Sequence, residues 1–126
     1  MKQSDMPQLD AQRKVFHIYI DGLFALVEQR ENDRWRHAPL IVVGDTPQSK
    51  VEAVSPQAHA LGIAPGMTRH QALKLHAQTL CIKPERDKYH RIGQQISALY
   101  REYTEWVEIV SPAEAYLDIT YNKMDI

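Results

Sequence analysis

Residues 86–103 constrain the fold most. Apolar side chains at Tyr89, Ile92, Ile96, Leu99, Tyr100 and Tyr103 recur at steps of three and four, which lays one stripe along a long helix. Such a helix needs a second layer to cover its stripe. β-rich runs at 14–20, 79–83, 106–110 and 115–120 can provide it, the last two joined by a turn over Ser111–Glu114.

The stretch between the first and second of these runs has its own punctuation. Leu23, Leu26 and Val27 fall at helical spacing within 22–30. The short apolar run 39–43 is stopped by Gly44, and 51–54 is a second short strand, expected to pair with it as a hairpin. Ser55-Pro56 is a helix start, with Ser as N-cap and Pro at the first helical position. That helix ends at Gly62, and Thr68 caps another over 68–77. The order β-α-β-β-α-α-β-α-β-β predicts an α+β fold: a mostly antiparallel sheet carrying a long helix on one face.

At 126 residues the chain suits one domain with a subdomain. The 44% hydrophobic and 25% charged fractions are those of a globular protein, and no apolar run reaches membrane-spanning length. Residues 1–12 are polar, lack a signal-peptide core, and are expected to be a disordered leader. The single Cys81 excludes an internal disulfide and suits a reducing cytoplasm. Its apolar neighbours predict a buried, inert thiol. The net charge of −1 does not mark a nucleic-acid binder. The charge is uneven, however: six Lys/Arg against two acids over 69–91, then two against six from 101 onward. A basic stretch can meet phosphates, and it can equally be a solvated helix face. The six histidines show no pairing at zinc spacing.

Four strings, in order, carry a family resemblance. Ser111-Pro112-Ala113-Glu114-Ala115-Tyr116-Leu117-Asp118-Ile119-Thr120 resembles the S-[IL]-D-E-A-Y-L-D-[IV]-[ST] motif of Y-family DNA polymerases, the translesion enzymes related to bacterial DNA polymerase IV. The run from His17 to Gln29 is similar to that family's first motif, H-h-D-h-D-x-F-[FY]-A-x-V-E. Leu61-Gly62-Ile63 with Gln71-Ala72-Leu73-Lys74-Leu75 is similar to its A-R-K-F-G-V-x-x-x-M-x-x-x-x-A-L-K-L string. The run Tyr89–Tyr103 resembles the helix leading into the acidic motif. Together they cover about residues 13–120.

The resemblance implies a partial palm over 13–21 and 78–126, with a small inserted fingers subdomain over 22–77. It also implies Mg²⁺ at a two-metal site in the active family, held by three carboxylates. Those positions fall here on Tyr19, Ala113 and Glu114. Two of the three have lost the acid, so Glu114 is a vestigial catalytic residue and no cofactor is expected. Asp21 and Asp118 are expected to be capping or surface acids rather than replacements. Among the nucleotide-binding positions, Phe24 falls at the steric gate beneath the sugar, although a core role on the first helix is the favoured one. Ala53, Pro56 and His59 stand where the family presents Thr, Tyr and Arg to the triphosphate. Pro56 has neither a side-chain donor nor an N–H, and His59 lacks the bidentate fork of Arg.

Two functional readings follow. In the first, the chain is a catalytically deficient Y-family module in DNA damage tolerance, similar to the inactive subunit of the inducible (SOS) mutagenesis complex. In the second, it is a truncated form of an active Mg²⁺-dependent DNA-directed DNA polymerase. A thumb and a DNA-gripping domain follow this region in the family, so a truncation, a fragment and a short gene product remain open alternatives. The expected partners are DNA and other replication or repair proteins, in the cytoplasm and away from membranes. A homodimer through an exposed sheet edge is also expected.

Overall fold

The computed structural model describes residues 13–120, and the leader expected over 1–12 lies outside the described residues. The elements are β1 (Val15–Tyr19), α1 (Leu23–Glu31), β2 (Leu40–Val42), β3 (Ala53–Val54), α2 (Pro56–Ala60), α3 (Arg69–Leu75), β4 (Leu80–Ile82), α4 (Arg86–Arg101), β5 (Trp106–Ser111) and β6 (Glu114–Asp118). A single 3₁₀ turn, Asp33–Trp35, follows α1. This is the expected α+β order. The described residues divide into two units, one holding 13–20 and 86–120, the other 21–85. Among the described residues, no helix is long and apolar enough to cross a membrane.

In the first unit, β6 lies between β1 and β5, antiparallel to both. Val15 faces Asp118, His17 faces Tyr116 and Tyr19 faces Glu114. Side chains alternate across a strand. One face therefore carries the apolar cluster of Ala115, Leu117 and Ile119, packed by Ile18, Val107 and Tyr100 of α4. Burying a Leu-sized side chain contributes about 2 kcal/mol, so this face anchors the helix. The stripe on α4 is only partly used: Tyr89 is buried, whereas Leu99 and Tyr103 are exposed. Leu99 sits at the flank of the stripe, and Tyr103 lies past the helix end. A Cβ on Gly93 would lie 2.8 Å from Pro112 Cβ, so α4 approaches the β5–β6 turn closely there.

In the second unit, β2 is central. It pairs antiparallel with β3 and parallel with β4, setting Ile41 opposite both Val54 and Cys81. The hairpin of β2 and β3 is as expected. The expectation that 79–83 joins the palm sheet is corrected, because β4 pairs with β2 instead. Leu40, Ile41 and Val42 are all fully buried, the continuous apolar run typical of a strand covered on both faces and able to take a parallel neighbour. Ile41, Val43, Val51, Ala58, Ile63 and Ala72 form its core.

Ser55 ties this unit together. Its Oγ accepts from Ala58 N (3.2 Å), capping α2, and from Leu40 N (3.0 Å), and it donates to Ala38 O (3.2 Å). Thr68 and Gln71 form a reciprocal capping box on α3. Helix α1 buries Ala25, Val27, Glu28 and Gln29, while Leu26 is exposed. Gln29 is kept inside by donating to Ala38 O and Gln57 Oε1, both at 2.9 Å. Gly22 enters α1 at φ 68°, and a Cβ there would meet Val54 O at 2.8 Å, so both its conformation and its neighbour require glycine.

Candidate functional site

The β1–β6 register brings the implied metal-ligand positions of the first unit together. Tyr19 and Glu114 are direct cross-strand partners at the end of the sheet. Ala113 follows the turn one residue earlier. Its carbonyl accepts from Ile20 N at 2.8 Å, and its N–H is held by Ser111 Oγ at 3.2 Å. The backbone frame around these positions is therefore closed. The side chains are a phenol that is 61% exposed, a methyl group and one carboxylate.

That carboxylate has a partner. His17 Nε2 lies 2.7 Å from Glu114 Oε2, and the His17 ring stacks on Tyr116 with centroids 4.4 Å apart and planes 18° from parallel. Zinc-type spacing does not single out His17 among the six histidines. The available signal was the strand period of two, which places His17 on the face of Tyr19.

Asp118, expected as a capping or surface acid, is 1% exposed. It accepts from Arg13 Nε at 3.1 Å and from Thr120 N at 3.0 Å. Burial on its own would raise its pKa. The hydrogen bonds from Thr120 and the bond and charge of Arg13 outweigh burial and hold it below the ordinary carboxylate range. Its role is to join the ends of β1 and β6.

In the second unit a cavity of about 240 Å³ is lined by Asp21, Gly22, Leu26, Val54, Ser55, Pro56 and His59. Pro56 and His59, which the resemblance places at nucleotide-binding positions, thus line one concavity together with Asp21. Phe24 is half-buried on α1, and Ala53 is buried in β3. Cys81 is half-buried rather than buried. Burial raises its thiol pKa, against the charge of Arg69. Among the described residues, no group of three or more His, Cys, Asp or Glu side chains could hold a metal ion.

The sequence model of the impB/mucB/samB family matches residues 18–125. The chain is 37% identical over 121 residues to DNA polymerase IV of Streptococcus mutans, covering 93% of this chain and 33% of that protein. It is 40% identical over 111 residues to DNA polymerase IV of Alkalilimnicola ehrlichii, covering 87% and 31%. The chain thus spans about one third of the curated relatives it matches. Among solved structures, DinB from Sulfolobus solfataricus superposes with a TM-score of 0.78 at 26% identity, over 85% of this chain and 32% of that one. An insertion ternary complex of Dbh DNA polymerase gives a TM-score of 0.77 at 25% identity, over 84% and 32%. This chain belongs to the impB/mucB/samB family, and its fold is that of the N-terminal region of Y-family DNA polymerases.

Proposed function

We propose that this chain is a palm-and-fingers module that does not itself polymerise and acts as a non-catalytic component of DNA damage tolerance by translesion synthesis. In this reading the first unit is the partial palm and residues 21–85 are the fingers-like insertion. The observation that carries the proposal is the donor set. A two-metal site needs carboxylates converging on ions about 3.5–4 Å apart, and Mg²⁺ demands hard oxygen ligands in near-octahedral geometry. Tyr19 offers a phenol, Ala113 offers nothing, and Glu114 is engaged by His17. That set does not fit a pair of Mg²⁺ ions.

The triphosphate side points the same way. Pro56 and His59 occupy a cavity that also contains the acid of Asp21, and a carboxylate there repels phosphate rather than clamping it. Association with DNA is supported by the Dbh complex among the structural neighbours. The place of action is the cytoplasm, and the SOS response is the setting in which a non-catalytic Y-family component would be used. In the first sheet β1 and β5 each have one paired neighbour among the described residues, which leaves two edges through which a partner or a second copy could add.

The second reading, a segment of an active Mg²⁺-dependent polymerase, is favoured by the names of the relatives and by the third of their length that the chain spans. Primer extension separates the two. The full-length cellular product is given primer–template, dNTPs and Mg²⁺ or Mn²⁺. Background incorporation is expected, and templated extension above background would sink the non-catalytic reading.

A further inference from the structure

We infer that the free edge of β1 pairs with β1 of a second copy of this chain, antiparallel and centred on His17, so that two three-stranded sheets join into one of six strands. The inference rests on the reading above in which a sheet edge receives a partner, and it names the edge, the register and the occupant.

Backbone groups select the edge. Ile20 N donates to Ala113 O and Ile119 N donates to Lys14 O, both at 2.8 Å. The polar groups of Lys14 and Ile20 therefore point toward β6. Alternation along an antiparallel strand turns those of Phe16 and Ile18 the same way, and those of Val15, His17 and Tyr19 outward. Among the described residues β6 is the one strand paired with β1. Sheet edges are commonly blunted by proline, charge or a bulge. The other edge, β5, carries a bulge between Ile109 and Ser111. Residues 15–20 hold no Pro, Gly, Lys, Arg, Asp or Glu.

The register selects a second copy as the occupant. A two-fold axis through His17 sets Val15 against Tyr19 of the second copy, His17 against His17, and Tyr19 against Val15, as a self-complementary interface requires. All three outward-facing residues then pair at once. An axis through Phe16 or Ile18 would leave Tyr19 or Val15 without a β1 partner. The side chains agree with the same axis. Phe16 meets Ile18 of the second copy on the helix-covered face, and Val15 meets Tyr19 on the other. Each contact sets an aromatic beside a β-branched side chain, a cross-strand pair that stabilises sheets, and the symmetry makes each of them twice.

The helix layer extends the surface. His90, Gly93, Gln94 and Ser97 of α4 line a groove with residues 109–112 at the β5 side. At 3.6 residues per turn Leu99 lies on the opposite flank of the helix, toward β1. Phe16, Tyr19 and Leu99 are 51%, 61% and 57% exposed. An aromatic side chain can bury about 150–250 Å², so these residues and the strand edges of two copies would together cover on the order of 1,000 Å², the lower bound for a specific interface.

The test is sedimentation equilibrium of the full chain over a wide concentration range, joined to cysteine trapping in a Cys81→Ser background. A reversible shift from one copy to two is expected as concentration rises. Directly opposed hydrogen-bonded residues have Cα atoms about 5.5 Å apart, within disulfide reach. His17→Cys should therefore cross-link two copies under mild oxidation. Val15→Cys should not, because its two copies would lie four residues apart along the strands, about 13 Å. Phe16→Lys, at a half-exposed position, should keep its circular dichroism spectrum and weaken dimerisation at least tenfold. A monomer at every concentration overturns the inference and the edge reading it rests on. A dimer in which Val15→Cys cross-links as fast as His17→Cys, or which Phe16→Lys leaves unchanged, overturns the β1 register while leaving edge docking standing. The non-catalytic reading is decided separately, by primer extension.

Discussion

His17 Nε2 and Glu114 Oε2 lie 2.7 Å apart although 97 residues separate them in the chain. The contact follows from register. Tyr19 faces Glu114 and His17 faces Tyr116, so His17 and Glu114 are diagonal neighbours on one face. An imidazole thus occupies the acid that the resemblance makes a metal ligand. Both groups are partly exposed, and an exposed pair of this kind adds well under about 1 kcal/mol to stability. The pair matters for what it makes Glu114 unavailable to do.

Carboxylates restored at the two altered positions should recover a cation site. Tyr19→Asp with Ala113→Asp should bind Mn²⁺ in the range of weak all-oxygen sites, on the order of 10⁻⁴–10⁻³ M, at least tenfold tighter than the parent. Adding His17→Ala should tighten it further by releasing Glu114. Electron paramagnetic resonance titration of free Mn²⁺ is the measurement. A folded double variant that binds no better than the parent would show that the three positions do not converge on one ion.

The Arg13–Asp118 pair predicts a defined acid response. The folded carboxyl of Asp118 titrates below its ordinary value, which is near 4 in an unfolded chain. Its stabilising contribution is therefore complete above about pH 4 and is lost as pH falls through the depressed folded value. Asp118→Asn should cost on the order of 3 kcal/mol at pH 7, because it removes one charge of a largely buried ion pair. The gap between parent and variant in urea unfolding should narrow at about pH 3. A gap that stays constant between pH 7 and pH 3 would remove the ion pair from the account.

The order of elements was legible because each carries a local signal. The α4 stripe, the Ser55-Pro56 start and the Thr68 cap all act within four residues. The pairing of β4 was not legible. Leu80-Cys81-Ile82 is apolar enough for either sheet, and only its hydrogen bonds with β2 decide between them. The site divides in the same way. Glu114 and Tyr19 could be placed by motif, whereas the partners of Glu114 and Asp118 lie 97 and 105 residues away. No window along the chain contains both members of either pair.

Ser55 combines a local role that the sequence shows with a distant one that it hides. Its Oγ caps α2 and also serves Leu40 N and Ala38 O across the start of β2. Losing the cap alone costs about 1 kcal/mol, and leaving the buried Leu40 N–H without a partner adds about 1–3 kcal/mol. Ser55→Ala should therefore destabilise by about 2–4 kcal/mol in chemical unfolding, clearly more than Thr68→Ala, which removes a cap on the surface of the same unit. Equal losses for the two variants would reduce Ser55 to an ordinary cap.

Gly93 tests how tightly α4 is seated against the turn that presents Glu114. Glycine within a helix costs about 1 kcal/mol relative to alanine, so on propensity alone Gly93→Ala would stabilise. The added Cβ, however, would lie 2.8 Å from Pro112 Cβ and 2.9 Å from Pro112 Cα. Overpacking of this kind costs about 1–3 kcal/mol, and the obstacle includes backbone, which cannot rotate away. The steric term should win, giving a net loss of about 1–2 kcal/mol and a lower Tm. Because Pro112 precedes Ala113 and Glu114, relief of the clash should also move the turn and loosen the His17–Glu114 bond, seen as a change in the His17 ring NMR signals. Pro112→Gly in the Gly93→Ala background should recover part of the loss. A Gly93→Ala protein that melts higher than the parent, with unchanged His17 signals, would mean that helix and turn are not in contact.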